Sequence, residues 1–280
     1  MQFAFCTEYS EKFRRGSLNI YKLEDNIFKS YARYYDLLYK DKDYSQEAQF
    51  VRKLLMTYAP KAKSILELGC GTGRHAAQLA KDKYTVHGVD FSRAMLKQCT
   101  TLIKKLPADI ASRLSFCHGD MRSVRLNHRF DAIISLFHVI CYQTNNDDLR
   151  ATFKTVKTHL KPRGLFIFDC WYGPAVLTDR PSVRIKRMED EKNSITRIAE
   201  PVMYPNENCV DVNYAVWIRD KQAGKVEEVK ETHRVRYLFQ PEIEQMLALS
   251  GLSLISAQEW LSGNELDFNT WNGCFIAENK

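Results

Sequence analysis

The sequence predicts an α/β fold built on a doubly wound, mostly parallel sheet, with an antiparallel β insertion after the fifth strand. Between residues 63 and 170, short and almost continuously apolar runs alternate with helical patterns. This combination is typical of a parallel sheet that is covered by helices on both faces. Between residues 182 and 238 the hydrophobic period changes to two, which indicates antiparallel strands. A chain of 280 residues is long enough for one such domain with an appendage.

These patterns divide the chain into four parts. In the first part, apolar residues recur at helical spacing until Pro60 ends the helix. The four parts are an N-terminal helical lid (1–60), a core (61–181), an antiparallel β insertion that contacts substrate or a second subunit (182–239), and a segment that completes the core sheet (240–280).

The core is predicted to alternate strand and helix. Its strands are apolar runs, which in chain order are 64–69, 84–90, 114–118, 131–137 and 165–168. The first intervening helix is predicted over 76–81. Two later helices begin after Ser92 and after Asn146 or Asp147, because these side chains cap helix N-termini. Pro162-Arg-Gly164 predicts a turn before the last strand.

The insertion and the C-terminal part differ in their periodicity. Cys209–Ile218 alternates apolar and polar residues between turn-like segments, which predicts a set of three or four antiparallel strands. A helix over 240–250, ended by Gly251, then returns to the core pattern. Two final strands over 252–260 and 272–277 complete the predicted sheet.

Composition and charge narrow the classes of function. Net charge is +7, but no run of four Lys or Arg occurs, so no nucleic-acid-binding tail is expected. The positive balance suits an anionic small substrate or only aids solubility. No apolar run is long enough to cross a bilayer and no signal-peptide pattern opens the sequence, which predicts a cytoplasmic protein without a membrane partner. The eight cysteines lack a C-x-x-C pair and the histidines lack metal-ligand spacing, so reduced thiols and no metal are expected.

The strongest functional signal is a strand that runs into a glycine turn and then a helix, at Ile65–Arg74. This is the nucleotide-binding corner of an open α/β sheet, where glycines let the backbone approach a ligand. The G-x-G-x-G spacing disfavours NAD(P), because Arg74 stands where a dinucleotide fingerprint has its third glycine. Glu67, two residues before the first glycine, suits a ligand with a cationic end. The predicted cofactor loop consists of Gly69, Cys70, Gly71 and Gly73.

Further signals follow at the ends of later strands. Asp90 ends the second strand, where a carboxylate can accept both hydroxyls of a ribose, and Phe91 can pack against an adenine face. After the third strand, Gly119-Asp120-Met121 offers an acid for the adenine amino group and an apolar wall. The fourth strand ends near Leu136, where strand order is expected to reverse and ligands bind. Met95, on the helix after Asp90, belongs to the same predicted cofactor site.

Together these motifs resemble a known family. ILELGCGTG, GVD, GDM, FDAIIS and LKPRGLFIFD have the order and spacing of the class I methyltransferases that use S-adenosylmethionine (SAM). The resemblance implies a Rossmann-like seven-stranded fold, methyl transfer, SAM as cofactor and S-adenosylhomocysteine (SAH) as its product. Tyr34–Tyr44, Gly119–Arg122, Phe168–Trp171 and the insertion are similar, more narrowly, to nucleotide-linked amino-sugar N-methyltransferases. Glycine N-methyltransferases share part of this layout.

The narrower resemblance implies roles for several aromatic residues and a histidine. It places Tyr35 and Tyr44 near the methionine carboxylate of SAM, with an aromatic packing cluster as the alternative. The family often has a histidine a few residues beyond the fourth strand; Tyr142 stands at that position here, and His138 lies four residues earlier. His138 could act as a general base and Tyr142 could hold a hydroxyl or orient an amine, or both could only line the pocket.

Two aromatic residues after the fifth strand, Trp171 and Tyr172, are expected to form a wall of the substrate pocket. A tyrosine that the family can place ahead of the Tyr-Asp motif is missing, and Ile27 and Phe28 stand nearby.

The predicted function is transfer of a methyl group from SAM to an amine or hydroxyl of a small polar metabolite, by in-line displacement. A nucleotide-linked (amino) sugar is one candidate acceptor. A nucleic-acid or protein methyltransferase is disfavoured because Ser135–His138 lacks an N-P-P-Y-type motif, and a non-catalytic SAM-binding scaffold is disfavoured by the intact cofactor motifs. The acceptor, the number of methyl groups and the oligomeric state stay open, with a homodimer as one candidate.

Overall fold

The computed structural model describes Tyr35 and residues 37–280. Most of the predicted lid, residues 1–34 and 36, lies outside the described residues, and so do Ile27 and Phe28. The helices are α1 (Tyr44–Tyr58), α2 (Arg74–Lys81), α3 (Arg93–Ile103), α4 (Ala108–Ala111), α5 (Asn146–His159), α6 (Gly173–Thr178) and α7 (Gln240–Leu249). The strands are β1 (Ser64–Leu68), β2 (Thr85–Asp90), β3 (Leu114–His118), β4 (Phe130–Ser135), β5 (Leu160–Trp171), β6 (Arg184–Glu189), β7 (Asn193–Tyr204), β8 (Cys209–Asp220), β9 (Val226–Arg236), β10 (Leu252–Glu259) and β11 (Asn272–Asn279).

A seven-stranded sheet in the order β10-β11-β5-β4-β1-β2-β3 forms the core. Strands β1 to β5 pair in parallel, and β11 runs antiparallel to both of its neighbours. The chain moves outward from β1 to β3 and then crosses back to β4 on the other side of β1. Strand order therefore reverses between β1 and β4, and a crevice opens at their carboxyl ends. The predicted doubly wound, Rossmann-like fold is confirmed.

Alternate residues of the central strands face two separate apolar cores. Leu66 and Phe166 point to the side that α5 and α7 cover. Ile65 and Ile167 point to the other side, which α1 and α2 cover. Val51 of α1 is fully buried in that second core, so the described part of the predicted lid also covers the sheet.

The predicted insertion is confirmed as a separate antiparallel sheet in the order β6-β7-β8-β9. Ile195, Val216 and Ile218 pack with Leu38 in a small core of their own. The chain leaves β9 beside the end of β5, where the backbone N–H of Leu238 donates to the carbonyl of Trp171 at 2.9 Å. This tie holds the C-terminal half of β9 next to the crevice.

Strand β5 is longer than predicted, because the turn expected at Pro162–Gly164 lies inside it. Arg163 adopts a left-handed φ of 61°, and the pairing between β4 and β5 shifts register between Phe130 and Ala132. The strand therefore takes up the turn as a local irregularity and continues in its sheet.

Within the described residues, no helix is long and apolar enough to cross a membrane. The cysteines of this part of the chain are free thiols.

Candidate active site

A cavity of about 420 Å³ lies where the strand order reverses, with walls from the core sheet, from the residues around α1 and from β8 and β9. This volume is in the range of small-molecule sites. Most residues predicted from the sequence line it. They are Tyr35, Tyr44, Gly69, Cys70, Gly71, Asp90, Phe91, Met95, Gly119, Asp120, Met121, Leu136, His138, Tyr142 and Trp171.

Three predicted site residues lie outside this lining. Glu67 lies beneath the glycine loop and is 1% exposed, and Gly73 is the N-cap of α2. The sequence places Tyr172 in the substrate wall, but this half-buried residue packs against the main core, with its ring centroid 6.5 Å from that of Phe275. The reason is that successive residues of an extended chain point to opposite faces, so only Trp171 can face the cavity.

The glycine loop brings β1 close to the segment that follows β4. Gly69 has a φ of +75°, and a Cβ on it would lie 2.3 Å from Cγ1 of Val139. Only glycine permits both this backbone conformation and this contact. Gly71 also has a positive φ, but a Cβ there would meet nothing within 4 Å. The loop is therefore tight against the protein at Gly69 and open toward the cavity at Gly71.

Two carboxylates lie under and beside this loop. Burial, together with the charge of Asp90, raises the pKa of Glu67 to about 8, and among the described residues its Oε2 has no hydrogen-bond partner. Asp90 accepts from the backbone N–H of Gly71 at 2.7 Å and of Ser92 at 2.8 Å. Burial raises the pKa of Asp90 as well, although these two donors oppose the effect. Two buried carboxylates that repel each other favour a ligand with a cationic group and hydrogen-bond donors.

His75 connects Glu67 to α1. Its Nε2 lies 2.5 Å from Oε2 of Glu47, and its Nδ1 lies 3.6 Å from Oε1 of Glu67. Burial alone would raise the pKa of Glu47, but His75 and Lys42 lower it to about 2. The first residues of α1 and α2 are thus joined by charge directly behind the glycine loop.

The loop after β3 is ordered by an internal ion pair. Arg122 donates to Asp120 from its backbone N–H at 2.8 Å and from Nη2 at 2.7 Å. The same guanidinium reaches Asp148 at 3.2 Å. Met121 is 8% exposed and accepts from Nε2 of Gln143 at 3.2 Å. This geometry fixes the carboxylate of Asp120 at the cavity wall, and its role toward adenine stays a prediction.

His138 is held by the carboxylate of Asp169, which the sequence patterns do not predict as a site residue. Phe137 and His138 both have left-handed φ values, 65° and 60°, a conformation that costs about 1–2 kcal/mol per non-glycine residue. The backbone N–H of His138 donates to Asp169 Oδ2 at 3.1 Å, and its ring Nδ1 lies 2.7 Å from the same oxygen. Asp169 is 1% exposed. The buried carboxylate therefore stabilises an unfavourable backbone conformation that points His138 into the cavity.

Tyr142 is held by the inserted sheet. Its hydroxyl lies 2.7 Å from Nδ1 of His233, and Nε2 of His233 lies 3.1 Å from Oε2 of Glu231. Burial raises the pKa of Tyr142 well above its usual value. His138 and Tyr142, four residues apart, thus face one cavity with different supports behind them.

Four residues that support the site are not predicted from the sequence: Asp169, His233, Glu231 and His75. Asp169 carries a usable signal, because it ends a buried strand as Asp90 does. Glu231 and His233 are two residues apart and share a face of β9, but nothing local indicates that this face meets Tyr142, 91 positions away.

Known proteins are similar to this chain in sequence and in fold. Residues 65–164 match the family model of a methyltransferase domain. A dTDP-3-amino-3,4,6-trideoxy-alpha-D-glucopyranose N,N-dimethyltransferase of Streptomyces venezuelae is 28% identical over 235 residues, which cover 83% of this chain and 92% of that protein. The chain is a SAM-dependent methyltransferase. Its identification rests on the sequence match together with the glycine loop and the acid-ended strands described above.

Solved structures show the same fold. A SAM-dependent methyltransferase from Clostridium acetobutylicum superposes with a TM-score of 0.75 at 22% identity, over 90% of this chain and 98% of that one. An amino pentose methyltransferase from Micromonospora echinaspora, solved with SAM bound, has a TM-score of 0.70 at 23% identity, over 90% of this chain and 98% of that one.

The cavity of the methyltransferase fits SAM by its chemistry. SAM supplies a methyl group that is activated by a positively charged sulfur. Glu67, with an unpaired buried oxygen, and Asp90 suit a ligand that carries an ammonium and two ribose hydroxyls. Gly71 leaves the space beside the loop open. The assignment of each of these residues to a part of the cofactor stays a prediction.

Gly69→Ala tests the contact between the two halves of the site. A left-handed alanine costs about 1 kcal/mol and overpacking against Val139 about 1–3 kcal/mol more, so we expect the free energy of unfolding to fall by roughly 2–4 kcal/mol. Gly224→Ala is a matched control, because Gly224 has a φ of +66° and open space around its Cβ. Urea denaturation measures both variants; equal losses of stability would show that the Val139 contact contributes nothing.

Glu67→Gln tests the acidic side of the cofactor site. The folded-state pKa of Glu67 is raised to about 8. A bound ammonium favours the ionised form of this carboxyl, so binding releases a proton. SAH affinity should therefore rise with pH up to about pH 8. The variant should bind SAH roughly tenfold more weakly at pH 8, because one ion pair is lost, and it should show a flatter pH dependence. Calorimetry at several pH values measures this, with the exposed Glu244→Gln as control; an unchanged pH dependence would contradict the assignment.

Proposed function

We propose that this methyltransferase methylates the amino group of a nucleotide-linked amino sugar. The observation that carries the proposal is the similarity, over 83% of this chain, to an enzyme named as an N,N-dimethyltransferase of a dTDP-amino sugar. The chemistry of the cavity agrees, because Tyr142, whose pKa is raised, is not a phenolate near neutral pH. A sugar hydroxyl needs a strong base before it can attack, whereas an amine is partly neutral near pH 7 and needs only a weak proton acceptor.

The names of similar proteins support the same acceptor class. The Streptomyces venezuelae protein is named for a dTDP-linked amino sugar that it N,N-dimethylates, and this chain covers 92% of its length. The Micromonospora echinaspora protein is described as an amino pentose methyltransferase. Both names combine an amine acceptor with a sugar, so an amino group on a sugar is the acceptor to test first.

In the proposed reaction the chain acts by positioning and by excluding water. The charge of Asp169, 2.7 Å from Nδ1 of His138, favours a neutral ring with its proton on Nδ1 and Nε2 as an acceptor toward the cavity. Nε2 of His138 thereby accepts a hydrogen bond from the substrate amine and orients the nitrogen that receives the methyl group. Trp171 and Leu136 contribute apolar wall. Orientation of this kind supplies on the order of 7–11 kcal/mol in favourable cases.

The acceptor class is tested with matched substrates. We expect the purified enzyme and SAM to add one or two methyl groups to dTDP-amino-sugars that carry the amine at C3 or C4, and none to the same nucleotides with a hydroxyl at that carbon. Mass spectrometry of the product and loss of SAM measure the transfer. Transfer to the hydroxyl compounds, or to no sugar nucleotide in the panel, would reject the proposal.

Asp169→Asn tests the positioning of His138. The amide can still accept the backbone N–H of His138 but cannot pair electrostatically with its ring, so we expect kcat on the best acceptor to fall by roughly tenfold or more. SAH affinity should stay unchanged, because Asp169 is not among the described residues that line the cavity. The exposed Asp109→Asn serves as the control. If Asp169→Asn kept the wild-type kcat, the idea that Asp169 orients His138 for catalysis would be rejected.

A further inference from the structure

A continuous row of polar groups joins the acceptor side of the cavity to the inserted sheet. Tyr142 lies in the 3-10 turn that follows β4, while His233 and Glu231 lie on β9. The hydroxyl of Tyr142 is 2.7 Å from Nδ1 of His233, and the carboxylate of Glu231 is 3.1 Å from Nε2 of the same ring. The side chains of His233 and Glu231 are 4% and 7% exposed, whereas 37% of Tyr142 remains accessible. The row therefore runs from the cavity into the protein.

The direction of the hydrogen bonds follows from the inner end of this row. A carboxylate only accepts, so Glu231 takes the proton on Nε2 of His233. The other ring nitrogen of a neutral imidazole then lacks a proton and accepts from the hydroxyl of Tyr142. With its own proton directed at His233, Tyr142 faces the cavity as a hydrogen-bond acceptor. It can thus accept an N–H of a bound amine.

We propose that Tyr142, His233 and Glu231 form a proton relay that removes the proton from the substrate ammonium before each methyl transfer. This proposal rests on the proposed N-methylation. Tyr142 touches the substrate, and His233 and Glu231 are positioning residues that act through it.

The proton transfer balances without any further reactant. An N–H bond of the substrate ammonium breaks and leaves its electron pair on nitrogen, and that proton moves to the oxygen of Tyr142. The original hydroxyl proton of Tyr142 moves at the same time to Nδ1 of His233. The products are a neutral amine and an imidazolium that is paired with the carboxylate of Glu231. His233 returns its proton to water after the product leaves.

The titratable and charged groups around this row come from several elements. Tyr214 of β8 meets His233 edge to face, with ring centroids 5.0 Å apart, and burial raises the pKa of Tyr214 to about 12. Tyr39 and Cys141 also face Tyr142, and burial raises the pKa of Cys141. Arg197 of β7 lies over the ring of Tyr214 at 5.1 Å. The carboxylate of Glu231, 3.1 Å from Nε2, pairs directly with an imidazolium at His233.

The proton positions are tested in the full-length enzyme without substrate. Nitrogen NMR of labelled histidine, with His233 assigned by its loss in His233→Gln, should show a neutral ring that is protonated on Nε2. Glu231→Gln should reduce the share of rings that carry the proton on Nε2, because a neutral amide is a weaker acceptor than a carboxylate. The control, Glu228→Gln, lies on the same strand with an exposed side chain and should change neither signal. A ring protonated on Nδ1 would overturn the relay.

The relay is tested by kinetics as well, by measuring kcat on the best amine substrate as a function of pH for the wild type and the variants. The wild-type rate should fall at low pH, because a relay that already holds a proton accepts no further one. Tyr142→Phe and His233→Gln should lose roughly 10²-fold at neutral pH, a typical effect of general acid–base groups, and should recover as rising pH deprotonates the amine in solution. Glu231→Gln should also reduce kcat, because the imidazolium that forms loses its paired carboxylate. SAH affinity should stay unchanged in all three variants.

The outcomes separate the two proposals. Amine methylation with a wild-type kcat and pH profile in Tyr142→Phe and His233→Gln would reject the relay and keep the proposed function. An Nε2-protonated ring in an enzyme that methylates only hydroxyls or other acceptors would reject the proposed function, and the relay from an ammonium with it.

Discussion

The contact between Gly69 and Val139 determines how the two halves of the site meet. Gly69 ends the first strand of the core and Val139 follows the fourth, and these strands are neighbours at the point where strand order reverses. A missing Cβ lets the two backbones approach closely enough for the cofactor loop and the His138–Tyr142 turn to share one cavity. The donor and the acceptor of a methyl group must be in line at short range, and this contact keeps the two segments beside the same cavity.

Buried carboxylates organise both sides of the cavity. On the cofactor side, burial and the charge of Asp90 raise the pKa of Glu67. A cationic group on the ligand would offset the repulsion between these two carboxylates. On the acceptor side, Asp169 and Glu231 each face a histidine. The carboxylates there are already paired, and they direct the histidines instead of binding the ligand charge. Buried carboxylates thus bind the ligand where the protein offers them no cation, and they orient a histidine where it does.

The inserted sheet has a core of its own and also contributes residues to the active site. Its apolar centre forms a separate small core, yet the C-terminal half of β9 carries His233 against Tyr142. The tie between Leu238 and the carbonyl of Trp171 holds this strand end beside the core sheet. Differences in the insertion between related enzymes would therefore alter the acceptor side while leaving the cofactor loop in place.

The sequence by itself determined the local features: the alternation of strand and helix, the glycine loop with Glu67 before it, and Asp90 at the end of its strand. Each depends on a pattern within about ten residues, such as apolar periodicity or a glycine at a turn. Only the tertiary structure decided that Tyr172 turns into the core, that Asp169 supports His138, and that His233 supports Tyr142. These contacts join residues 31 and 91 positions apart, and they depend on strand order and register, which no local pattern encodes.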